Sequence, residues 1–224
     1  MGRPTLLGAL WPIREGISQL SMPAVVSGLS GQPARKIRGY LREMWPPAGT
    51  STAFLYSLTR AVNPQVVVET GVNSGGSSRV VLDALRQNGG GHLYSIDLPF
   101  RAPWTTSDGR RDGSHLPTGL STGYLVPEFL RSAWTLIEGD AKVELPSLLE
   151  RLPPVDLFFH DSEHSFQHQM FEYTTVWPRI RSKGLLVSDD VNWSDAFVVF
   201  CRERHLAPLE LRTAHSVYGA VRKP

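Results

Sequence analysis

Residues 66–78, VVVETGVNSGGSS, constrain this chain more than any other stretch. Val66, Val67 and Val68 predict a short buried strand, because β-branched residues in succession suit a pleat covered on both faces. Glu69 closes the strand, and Gly71, Gly75 and Gly76 predict a tight turn. Ser77 and Ser78 then open the amphipathic stretch SSRVVLDALRQ. Strand, glycine turn and helix are the first unit of a nucleotide-cofactor fold. The glycines admit close backbone approach, and the helix start offers unpaired N–H groups. Glu69 is expected to face whatever lies over the turn. There it would repel a pyrophosphate and suit a cofactor that presents an ammonium group.

A triphosphate-binding loop requires Gly-Lys-Ser/Thr, whereas Gly76 is followed by Ser77, Ser78 and Arg79. A dinucleotide turn requires G-x-G-x-x-G, and the spacing here is G-x-x-x-G-G. The acidic-x-Gly-x-x-x-Gly pattern resembles motif I of the class I S-adenosylmethionine-dependent methyltransferases. The next strand, HLYSID, ends in Asp97, about 20 residues past the turn, where a carboxylate can hold ribose hydroxyls. Asp97 does not separate methyltransferase from dehydrogenase, since both use such a residue. WTLIEGDA then ends in Asp140 and Ala141. These resemble the place where such methyltransferases hold adenine, although Asp140 is also a plain N-cap for AKVELPSLLERL. Both roles can coexist.

Strand and helix patterns continue in alternation: VDLFFHD, a helix near 165–180, LLVSDD and WSDAFVVFCRERH. Such order predicts an α/β fold, a Rossmann-like seven-stranded, mostly parallel sheet with helices on both faces. The last two apolar stretches, LAPLELRT and AHSVYGAVRK, predict a C-terminal antiparallel hairpin, which a dinucleotide domain would not. Residues 51–224 are read as one methyltransferase domain. Residues 1–50, with six prolines and no strong periodicity, are read as an appendage forming a lid or subunit contact. An insertion at about 100–132 follows Asp97. Its Gly-, Pro- and Ser-rich part, Phe100 to Leu120, is expected to be a structureless lid over the site.

A net charge of +2 gives no electrostatic case for nucleic acid or an anionic membrane. No apolar run approaches the roughly 18 residues that span a bilayer. The single cysteine, Cys201, excludes an internal disulfide and reads as a buried thiol. A cytoplasmic protein is expected, with a small-molecule partner and a homo-oligomeric state.

Asp161 ends the strand VDLFFHD, and Asp189 and Asp190 end LLVSDD. Carboxyl ends of parallel strands share one edge, so these three acids are expected to converge beside the cofactor. Their repulsion would be relieved by a cation or a retained proton, and oxygen-only ligands suit Mg²⁺, Ca²⁺ or Mn²⁺. The segments VDLFFHDSEHSF and WPRIRSKGLLVSDDV resemble the metal-dependent small-molecule O-methyltransferases, including the macrolide and aminocoumarin sugar O-methyltransferases and the cephalosporin-hydroxylase-like group. The resemblance covers about residues 52–222, apart from the insertion. It implies S-adenosylmethionine as cofactor, with contacts from Glu69, Gly71, Gly75, Ser77, Asp97, Asp140 and Ala141. It also implies a divalent ion, Mg²⁺ first, on Asp161, Asp189 and Asp190.

His164 stands three places after Asp161, where catechol-type relatives carry a lysine base. An imidazole near its reference pKa of about 6.5 suits base work at neutral pH. Three roles stay open for it: base, ligand, or structural residue at a helix start. His160, His164 and His168 recur every four residues and invite a zinc reading, but His160 lies within the strand. The expected activity is methyl transfer to a hydroxyl of a small molecule, a natural product, with Asp161 and His164 catalytic. The alternatives are a different acceptor atom or chemistry on the same fold, or an NAD-dependent oxidoreductase. A nucleic-acid methyltransferase is disfavoured, because His160-Asp161-Ser162-Glu163 replaces the Asn/Asp-Pro-Pro-Tyr motif.

Overall fold

Alternation along the strands decides the layers. In the computed structural model, which describes residues 50–112, 115–212 and 216–224, Val67 packs into one core and its neighbour Val68 into the other. Leu157 and Phe159 join Val67, while Phe158 joins Val68. Period-two side-chain direction thus splits an almost wholly apolar strand between two cores, which requires helices on both faces.

Helix α1 (Thr50–Val62) leads into β1 (Val66–Thr70), then α2 (Gly76–Asn88) and β2 (His92–Asp97). After two short strands, β3 (Trp104–Thr105) and β4 (Arg111–Asp112), come β5 (Trp134–Glu138) and α3 (Ala141–Arg151). Strand β6 (Val155–His160), α4 (Phe166–Val176), β7 (Ile180–Ser188), α5 (Ala196–Glu203), β8 (Leu209–Arg212) and β9 (Val217–Arg222) complete the order. Leu55, Leu58, Val81, Leu82 and Leu85 of α1 and α2 cover one face. Leu145, Leu148, Tyr173, Phe197 and Phe200 of α3, α4 and α5 cover the other.

The sheet runs β5-β2-β1-β6-β7-β9-β8. The first five strands are parallel, and β9 pairs antiparallel with both β7 and β8. This is the Rossmann-like seven-stranded arrangement with the terminal hairpin expected from the sequence. Strand order reverses between β1 and β6. Their carboxyl ends therefore flank a crevice, the usual ligand position in an open α/β sheet.

One expectation changes. Phe100 to Leu120 is not structureless: Trp104↔Asp112 and Thr105↔Arg111 pair as a small antiparallel hairpin. Phe100 stacks on Trp104 with ring centroids 4.3 Å apart, so aromatic contact supplies order that turn-rich composition concealed. The appendage over residues 1–50 falls outside the described residues except for Thr50. Cys201 is buried, and burial pushes its thiol up to about 12. Among the described residues no helix is long and apolar enough to cross a membrane.

Candidate active site

A cavity of about 560 Å³ opens at the β1/β6 reversal. One side is built from the glycine turn, the end of β2 and the start of α3. The other comes from the loop after β6, the end of β7 and the hairpin. Of the sequence-derived cofactor residues, Gly71, Ser77, Asp97, Asp140 and Ala141 line it, whereas Glu69 and Gly75 do not.

Glu69 is turned inward rather than toward the cavity. It is 1% exposed and accepts hydrogen bonds from the hydroxyls of Ser77 (2.6 Å), Ser78 (2.6 Å) and Ser95 (2.7 Å). Burial raises its pKa despite the three donors. The carboxylate fixes the first turn of α2 against β2, so any influence on a ligand's ammonium passes through the turn it holds. Gly71 is dictated by the protein itself. Its φ is +84°, and a Cβ there would lie 1.9 Å from the Asp161 carbonyl oxygen. Two loops thus interlock where the sequence suggested space for a ligand. Asp97 Oδ1 accepts the backbone N–H of Val72 at 2.8 Å and of Asn73 at 3.3 Å. Burial raises its pKa, and those N–H groups oppose the rise. Asp140 Oδ1 accepts from the Lys142 N–H at 2.8 Å, so it caps α3 while lining the cavity.

On the opposite side Asp161, Ser162, His164 and Asp190 line the cavity. Burial raises the Asp161 pKa well above the usual range, and the charges of Asp189, Glu69 and Asp190 add to it. Asp190 adopts a left-handed φ of +47°; burial and the adjacent Asp189 charge raise its pKa. The three expected carboxylates come near one another, but they do not all face the cavity. Asp189 accepts from Ser216 Oγ and from the Asp190 N–H (2.8 Å), and it does not line the cavity. Among the described residues no three His, Cys, Asp or Glu side chains group to hold a metal ion. Of the three acids expected to bind a metal, Asp161 and Asp190 line the cavity. Two carboxylates with water fit the coordination habit of Mg²⁺.

His164 is 9% exposed, and its Nε2 is buried without a hydrogen-bond partner, 3.9 Å from Asp161 Oδ1. Burial lowers its pKa to about 3, with the neighbouring His160 adding to the fall. This corrects the expectation of a group titrating near neutrality: the imidazole is neutral throughout the ordinary pH range. The Trp193 ring lies 5.6 Å from it.

Sequence reasoning missed several residues. Glu172, 0% exposed, gathers His160 and His168, which removes two members of the suspected zinc series. Glu163 accepts from the Ser107 N–H at 2.9 Å and anchors one side of the hairpin. Arg110 donates to the Trp193 carbonyl at 2.8 Å and lies over its ring, anchoring the other. The signal for the first was the i, i+4 pair His168–Glu172. For the hairpin contacts there was none.

A family model described as a methyltransferase domain matches residues 68–191. No curated protein matches the chain. The O-methyltransferase from Bacillus cereus in complex with SAH is similar in structure, with 14% identity and a TM-score of 0.55 over 91% of this chain and 97% of that one. The O-methyltransferase TomG from Streptomyces achromogenes, involved in tomaymycin synthesis and in complex with SAM, has 15% identity and a TM-score of 0.57. The shares covered are 91% and 96%. CalS11, a calicheamicin methyltransferase, has 16% identity and a TM-score of 0.54 over 84% and 90%. At these identities the likeness is one of fold.

Proposed function

The chain belongs to the methyltransferase-domain family, and from that premise we propose that it moves the methyl group of S-adenosylmethionine to a hydroxyl oxygen of a small molecule. The carrying observation is a single cavity with two unlike sides. On one, Asp97, Asp140 and the turn are ready for a nucleoside and an amino acid. On the other, a neutral, unpartnered imidazole stands beside Asp161. The B. cereus enzyme bound to SAH and TomG bound to SAM support the cofactor. TomG's part in tomaymycin synthesis and CalS11's in calicheamicin methylation support a natural-product acceptor.

In this reading the acceptor oxygen attacks the methyl carbon as the carbon–sulfur bond breaks, leaving S-adenosylhomocysteine. His164 takes the hydroxyl proton. The burial that keeps the imidazole neutral also weakens it as a base, so its strength in the reaction depends on ionisation of Asp161, whose Oδ1 lies 3.9 Å away. Its Nε2 is closed off in this state, so the contact tightens only in the ligand-filled cavity. The rest of catalysis is positioning. The hairpin carrying Trp104, held at Glu163 and Trp193, serves as the wall against the acceptor. Incubation with labelled S-adenosylmethionine and a panel of catechols, glycosylated macrolides and hydroxylated amines tests the proposal. Label in an O-methyl product supports it, and transfer to nitrogen or carbon alone contradicts it.

Metal dependence is a second reading, favoured by the raised pKa of Asp161, which burial causes first and the charges of Asp189, Glu69 and Asp190 increase. Asp161 and Asp190 would hold a divalent ion, which supplies Lewis-acid lowering of the hydroxyl pKa when bound. Loss of transfer after exhaustive EDTA treatment, restored by Mg²⁺, is expected; full activity in EDTA contradicts this reading.

A further inference from the structure

Glu172 is the most heavily hydrogen-bonded carboxylate in the described network, and the reaction above does not use it. Its Oε2 accepts from Thr70 Oγ1 at 2.6 Å and from His160 Nδ1 at 2.6 Å. Its Oε1 accepts from Ser162 Oγ at 2.8 Å and from His168 Nε2 at 2.8 Å. Each oxygen therefore receives two donors, the full capacity of an ionised carboxylate. Because a carboxylate only accepts, both imidazoles donate, and this fixes their tautomers: His160 carries its proton on Nδ1 and His168 on Nε2.

The four donors come from the end of β1, the end of β6, the loop after β6, and α4. That is the junction where Gly71 packs on the Asp161 carbonyl and the Asp161 N–H donates to the Thr70 carbonyl at 2.8 Å. His160, gripped at Nδ1, sets its ring edge-on to His164 at 5.3 Å. Ser162, gripped at Oγ, is itself part of the cavity wall. A charge at this depth would cost several kcal/mol if left unpaired, and an apolar residue would have closed the core as well. The carboxylate is consistent with one geometry being required at this edge.

We infer that Glu172 is a positioning residue: one buried carboxylate ties α4 to the ends of β1 and β6 and so holds the Asp161–His164 loop at its height over the cavity. The inference rests on the methyl-transfer reading only in calling that edge the acceptor side.

Amide hydrogen exchange, imidazole NMR and calorimetry with S-adenosylhomocysteine test it on the full chain. Glu172→Gln keeps the size but turns an amide N–H₂ toward donors. Exchange should rise about tenfold or more at residues 70–73 and 160–165, with β8 and β9 unchanged. The protected imidazole proton of His160 should disappear, and S-adenosylhomocysteine should bind about tenfold more weakly. Unchanged exchange at 160–165, a retained His160 proton, or a rise spread evenly over the whole sheet would overturn the inference. If Glu172→Gln does not fold, Ser162→Ala carries the test. It removes one donor, and exchange must rise at 160–165 alone; no local rise sinks the idea. Failure of the wild-type chain to bind S-adenosylhomocysteine would instead overturn the methyl-transfer reading and leave the exchange comparison standing.

Discussion

The two sides of the cavity are built on opposite principles. On the side of β1, β2 and α3 three acids are already hydrogen-bonded: Glu69 by three hydroxyls, Asp97 by two backbone N–H groups, Asp140 by the helix it caps. Along β6 and α4, polar atoms are left over. Nε2 of His160 and of His164 and Nδ1 of His168 are all buried without partners. Unpaired buried polar atoms cost about 1–3 kcal/mol each and persist where something else needs them. In the reading proposed above, the satisfied side would be a mould for the cofactor and the unsatisfied side the place where protons move.

The sharpest way to break this contrast is His164→Asn, which keeps size and some hydrogen bonding but removes the base. Methyl transfer to a panel acceptor should fall about 10²- to 10⁴-fold with S-adenosylhomocysteine affinity unchanged. Near-normal turnover would place the proton acceptor elsewhere, and a parallel loss of affinity would make the residue structural.

Glu69→Gln probes the other side. It replaces an acceptor-only group with one that confronts serine hydroxyls with N–H₂. Stability should drop by about 1–3 kcal/mol, read as a lower denaturation midpoint with an unchanged slope. An unchanged midpoint would mean the carboxylate faces the cavity instead, as the sequence first suggested.

The fold was legible because VVVE, HLYSID and VDLFFH alternate with helical patterns, and the two terminal strands lack a helix between them. Asp97, Asp161 and Asp190 were legible as strand-end acids, since topology alone puts strand ends together. Orientation was not legible. Glu69 lies next to a turn that suggests a ligand, yet the serines that claim it stand 8, 9 and 26 positions away. Asp189 is claimed by Ser216, 27 positions on. Glu172, within a helix, reads as a solvated charge until its partners on β1 and β6 are known.

The smallest expected effect concerns pH. The His164 pKa is lowered from 6.5 to about 3 on folding. The unfolded chain therefore binds the extra proton first, and stability falls as pH drops from about 6.5 toward 3. His168 acts in the opposite direction. Burial works against its charge, but the Glu172 hydrogen bond and charge outweigh burial and raise its pKa. Its contribution is full below about 6.5 and is lost as pH rises through the folded value. Between pH 7 and pH 4 the melting temperature of the wild type should fall by a few degrees more than that of His164→Asn. Equal slopes would mean that His164 is not the desolvated imidazole of this account.

Titration calorimetry with S-adenosylhomocysteine tests the central claim most directly, because it asks whether the satisfied side is a cofactor mould before any acceptor is known. One site per chain is expected, with affinity about tenfold lower in Asp97→Ala through loss of a carboxylate that the cofactor ribose and the turn share. No heat with S-adenosylhomocysteine, tighter binding of NAD, or equal affinity in Asp97→Ala would contradict it.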